Sequence, residues 1–90
     1  MDTLATARQM RCRAGALRAL ARRIHQLRAV TLPTGAGTDT WVGPSQFHCE
    51  QALQAHRSAL LGHAMDLEIR ARRIERAAEQ LEATARSARR

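Results

Sequence analysis

The sequence predicts an all-α protein: an antiparallel two-helix hairpin, one domain over residues 1–90, that pairs with a partner. Three observations carry this. Two long Arg- and Ala-rich segments, one running to about Val30 and one starting at about Ser45, place their large apolar residues at helical spacing. Between them the composition shifts to Thr, Pro, Gly and Asp and ends on Trp41-Val42-Gly43-Pro44, which reads as an elbow. Only two of the ninety residues are aromatic, Trp41 and Phe47, so a lone hairpin of this length buries little and needs a partner to complete its core.

The first helix is expected at about 3–31. Met10, Leu17, Leu20, Ile24 and Leu27 recur at spacings of three, four or seven and share one face, with the small residues Ala5, Cys12, Ala16 and Ala19 beside them. Arg8, Arg11, Arg18 and Arg22 collect on the other side as a basic stripe. Gly15 weakens the helix there by about 1 kcal/mol relative to Ala but, on a solvated side, does not break it. All fifteen basic residues are Arg; seven lie within residues 1–30 against a single acid, Asp2, while residues 31–90 carry eight against seven acids. Most of the net charge of +7 therefore belongs to the first helix, and points to an acidic partner surface or a polyanion. Pro33 ends the helix at or before Leu32, because the residue preceding proline is pushed out of the α region. Gly35 and Gly37 then keep the connection flexible.

The second helix is expected at about 44–87, with Pro44 in the first turn, where its missing N–H costs nothing. Leu53, Leu60, Leu67, Ile74 and Leu81 repeat every seven residues, and Ala64, Ala71, Ala78 and Ala85 each follow by four, with Arg57 the exception. Large-then-small alternation at four and three makes a narrow seam along which two helices approach closely. Leu61, Met65 and Ile69 lie about 100–180° around the helix from Leu60, beyond the reach of one neighbour. With Leu17, Leu20 and Ile24 on the open side of the first helix, they are read as the partner interface. Asp66–Arg70, Glu68–Arg72 and Glu82–Arg86 stand at the i,i+4 spacing that supports a helix by a few tenths of a kcal/mol, at about 0.2–0.5 each.

Several function classes find no support in these residues. There is no nucleophile–base pair, phosphate-binding glycine loop or paired carboxylate, so no enzyme is predicted. His48, Cys49 and His56, with His25 and His63, lack the spacing of dedicated metal ligands, and His56 and His63 are expected at the edge of the core face; no metal or other cofactor is predicted. In an antiparallel hairpin Cys12 sits about 28 Å from the elbow end where Cys49 lies, too far for a disulfide. No apolar run reaches the roughly 20 residues of a membrane span, and the N-terminus lacks a secretory h-region. A basic helix also suits phosphates, so a cytoplasmic basic adaptor or nucleic-acid-associated protein is the alternative, although no aromatic residue stands on the basic face for base stacking.

The Trp41-Val42-Gly43 elbow between two helices in a short chain resembles the WXG family, the early-secreted-antigen-like hairpins exported by type VII secretion systems. The run Thr40-Trp41-Val42-Gly43-Pro44-Ser45 is similar to the actinobacterial form, and Leu53 falls where the second helix of that family has its first large apolar residue. The resemblance implies a four-helix bundle of two hairpins, homodimeric or heterodimeric, or a hairpin paired with the N-terminal helical domain of a larger toxin or effector. It implies export from the cytoplasm by a signal-peptide-independent route, with Trp41 and Gly43 recognised by the secretion ATPase together with a C-terminal Tyr signal. This chain has no Tyr and is strongly basic. The resemblance therefore implies a second hairpin that is acidic and supplies the Tyr.

Overall fold

Among the described residues, two helices account for the fold. A computed structural model describes residues 2–27, Val30 and 44–89, apart from the side chains at 44 and 46. Helix α1 spans Thr3–His25 and helix α2 spans Pro44–Ala88. They pack along one another as an all-α hairpin, as the periodicities predict. The elbow Trp41-Val42-Gly43, the connection at 31–40 and Arg28 lie outside the described residues.

Asp2 opens α1. Its backbone is extended and its side chain accepts the Leu4 N–H at 3.0 Å, satisfying one of the donors that a helix start leaves without a partner. At the other end Arg22, Arg23 and His25 lie in the last turn, where the helix dipole favours positive charge. The helix ends at His25, six residues before the predicted boundary. There the ladder tightens: the Gln26 N–H is shared between the carbonyls of Arg22 and Arg23, and the Leu27 N–H reaches Ile24 three residues back. Pro33 sets only an outer limit, and the tightening acts first. Helix α2 begins at Pro44 and runs without a break to Ala88, one residue beyond the predicted end.

The helices are antiparallel, and two contacts fix their register. Arg11 pairs with Glu82 and Arg18 with Glu75, so seven residues forward on α1 correspond to seven back on α2. At 1.5 Å per residue the 45 residues of α2 extend about 67 Å, close to the 71 Å long axis of the molecule, whose other dimensions are 16 and 14 Å. The molecule is as long as α2. Helix α1, with 23 residues, covers about 34 Å of it, along its C-terminal half.

The seam between them is made of alanine. Ala7, Ala14 and Ala21 on α1 and Ala64, Ala71 and Ala78 on α2 are fully buried, and among the described residues no larger side chain is. On α2 this is the predicted small-residue series, flanked by the half-buried Leu60, Leu67, Ile74 and Leu81. On α1 the prediction misplaced the axis. Met10, Leu17 and Ile24 are half-buried, but Leu20 and Leu27 are 45% and 44% exposed, and Ala5, Cys12 and Ala16 are exposed. Two backbones this close leave room on their shared axis only for methyl groups, and the larger residues close in from the sides. Leu53, expected in the seam, is 46% exposed.

A seam of methyls tolerates little added volume. Ala71→Leu is expected to destabilise the hairpin by about 1–3 kcal/mol, while the same change at the exposed Ala83 leaves stability within about 0.5 kcal/mol; urea denaturation followed by circular dichroism separates the two. Nothing would lie within 4 Å of a Cβ added at Gly15, which is exposed as expected. Gly15→Ala is therefore expected to raise stability, by up to about 1 kcal/mol.

Candidate functional site

The antiparallel register gives the hairpin two flanks, and their chemistry differs. On one, the Arg11 guanidinium donates from Nε and Nη2 to the two carboxylate oxygens of Glu82 at 3.0 and 2.6 Å. Arg18 makes the same two-bond contact with Glu75 one heptad on, its Nε donating at 3.3 Å. Guanidinium and carboxylate match as planar forks, so each pair fixes orientation as well as charge. The hydrogen bond from Arg11 is the main cause, with its charge, that holds the Glu82 carboxyl below the usual carboxylate range, and Arg18 does the same for Glu75. Both arginines are in turn raised above their ordinary value.

These pairs divide the predicted basic stripe. Arg8 and Arg22 are exposed, but Arg11 and Arg18 turn toward α2 and are neutralised within the chain. Placing all four on a solvated side overlooked this, because the acids that meet them stand 57 and 71 residues away in sequence. The expectation at Glu82 changes in the same way: it bonds to Arg11, and Arg86 influences it through charge alone.

The predicted partner interface is likewise distributed over both flanks. Leu61 is fourteen residues, two heptads, from Glu75 and so lies on the ion-paired flank, with Met65 further around the same side and 61% exposed. Leu20 is one heptad from Arg13, on the opposite flank. There an open groove is lined by Arg13, Leu17, Arg70, Arg73 and Ile74. Leu17, in that groove, and Ile24, one heptad on, are half-buried, and Leu61 and Ile69 are half-buried on α2. The structure thus brings Leu17 and Leu20 to one side and Leu61 and Met65 to the other. Of the three groove arginines the sequence singled out only Arg70, as the i,i+4 partner of Asp66, with which it makes no ion pair; the signal for the groove lay in their heptad positions, beside Leu17 and Ile74.

A second open groove, lined by Phe47, Glu50, Gln51 and Gln54, lies near the start of α2. Phe47 is 58% exposed and meets the His48 ring edge-on at 5.9 Å. Cys12 and Cys49 are exposed, unbridged thiols, and His56 and His63 are exposed. Among the described residues no three His, Cys, Asp or Glu side chains converge as metal ligands, and no helix is long and apolar enough to cross a membrane.

Comparison with protein-family models, curated proteins and solved structures gives no match.

The lowered carboxyls make stability depend on pH with a defined sign. Glu75 and Glu82 release their protons more readily in the folded chain than in the unfolded one, where a glutamate titrates near about 4.3. The stabilisation is complete above that value and is lost as pH falls through the lower folded values. A Glu75→Gln/Glu82→Gln variant is expected to melt below the wild type at about pH 7, with the difference closing below about pH 3. Thermal melts followed by circular dichroism across that range give the readout.

Proposed function

We propose that this chain is a non-enzymatic pairing module: a WXG-like type VII secretion substrate, or the targeting partner of a larger cargo, that docks a second helical hairpin or the N-terminal helical domain of a toxin or effector. One observation carries the reading. The alanine seam closes the hairpin on itself yet leaves Leu20 and Leu27 45% and 44% exposed on a rod only 16 by 14 Å across. Large aliphatic side chains outside a seam already closed are surface for a second helical pair, which would complete a four-helix bundle. The sequence likeness at Trp41, Val42 and Gly43 supplies the second element, a motif read by the secretion ATPase. In this reading the elbow is half of a composite export signal, with the partner contributing the rest.

The net charge of +7 favours a second reading, a cytoplasmic basic adaptor associated with nucleic acid. The pairing of Arg11 and Arg18 with Glu82 and Glu75 weighs against it, because half of the predicted basic stripe is already neutralised.

Co-expression with any neighbouring short Trp-x-Gly reading frame, followed by light scattering on the purified complex, is expected to give a one-to-one heterodimer. A stable homodimer indifferent to that neighbour would remove the heteromeric part of the proposal. Trp41→Ala is expected to retain helicity and pairing while export falls to background; a large loss of helicity would make Trp41 a structural residue instead. The nucleic-acid reading predicts retention on immobilised DNA that falls steeply between low and moderate salt.

A further inference from the structure

The groove on the flank opposite the ion pairs is chemically one-sided. Its apolar floor is Leu17 on α1 and Ile74 on α2, and its charged lining is Arg13, Arg70 and Arg73. Leu20, 45% exposed, extends the apolar strip: it stands one heptad from Arg13, and the register set by Arg11–Glu82 and Arg18–Glu75 places it opposite Arg73. No acidic side chain lines the groove, and none of the three arginines has an ion-pair partner among the described residues. The other flank offers the contrast within the same molecule, since there each arginine that faces the partner helix meets a glutamate.

We infer that this groove is the docking site for an acidic amphipathic helix of a different protein, one that lays a Leu or Ile ridge on Leu17, Leu20 and Ile74 and sets Glu or Asp against Arg13, Arg70 and Arg73. Charge complementarity selects this occupant. A second copy of the chain would bring cationic rim against cationic rim, and like charges juxtaposed at an interface cost several kcal/mol, on the order of a thousandfold in affinity. A nucleic-acid backbone satisfies the arginines but has no use for an apolar floor between them. The inference rests on the pairing module proposed above and names which flank pairs and the chemistry of what it takes.

The test uses the full chain and a synthetic helical peptide with Leu at positions a and d and Glu at e and g, measured by fluorescence anisotropy. A peptide with Lys in place of Glu and a short DNA duplex serve as competing probes. Arg13→Gln/Arg70→Gln/Arg73→Gln is expected to weaken binding of the acidic peptide by about tenfold or more. Arg8→Gln/Arg22→Gln/Arg76→Gln removes the same charge from exposed positions outside the groove, and is expected to change it less than about twofold. Leu20→Ser weakens it without altering charge, the Lys peptide does not bind, and circular dichroism confirms that all variants remain helical. Equal weakening by both triple variants would overturn the inference, leaving only diffuse attraction by net charge. So would a duplex that binds more tightly than the peptide and loses that binding with the groove arginines. If a co-expressed hairpin partner still binds the groove variant as it binds the wild type, the pairing module stands and this assignment of its surface falls.

Discussion

Everything in this hairpin follows from how closely the two backbones approach. Three alanines on each helix, each series seven residues apart, are the only fully buried side chains among the described residues. A buried methylene contributes roughly 0.8 kcal/mol, against about 1.5–3 for a whole Leu or Ile, so the seam gains less per residue than a leucine core. What it provides is geometry. With the axis filled by methyls, Met10, Leu17, Ile24, Leu60, Leu67, Ile74 and Leu81 are displaced to half-buried positions beside it. Larger residues further around the helices are left outside, with Leu20 and Met65 as the clearest cases.

The same closeness brings arginine side chains on α1 within reach of the glutamates on α2, and so turns a composition into an arrangement. Arg11 and Arg18 meet Glu82 and Glu75 on one flank; Arg13, Arg70 and Arg73 face open space over Leu17 and Ile74 on the other. Net charge alone cannot distinguish these situations. The first gives register and a dependence of stability on pH, and the second gives an exposed cationic surface over apolar side chains. Exposed ion pairs contribute little to stability as isolated contacts. Two of them in successive heptads nevertheless discriminate against registers shifted by a few residues, where the forks would not match.

Much of the fold was legible in the sequence, and the limits of that legibility have physical causes. The heptads of α2 are read directly because their large members, Leu60 to Leu81, alternate with Ala64, Ala71 and Ala78. On α1 attention to large apolar residues chose the face through Leu20 and Leu27, whereas the buried series Ala7, Ala14 and Ala21 is inconspicuous in a chain rich in alanine. Repeating the large-then-small rule of α2 on α1 would have found Met10 and Ala14, Leu17 and Ala21. The partners of Arg11 and Arg18 were not legible without the register, since a single-helix view assigns every arginine away from the apolar stripe to solvent. The groove shares that origin, being assembled from two helices whose facing is settled only when they pack.

The central claim is the antiparallel, alanine-seamed register, and the protein carries its own probes for it. Cys12 and Cys49 are the two cysteines of the chain, and both are exposed. In the register fixed by the ion pairs, Cys12 lies opposite position 81, thirty-two residues along α2 from Cys49, a separation of about 48 Å. Spin labels on the two native thiols, measured by double electron–electron resonance under spin dilution, are predicted to give one narrow distribution centred near that distance. A distribution centred below about 30 Å, or one too broad to define a single α2 rod, would contradict the account.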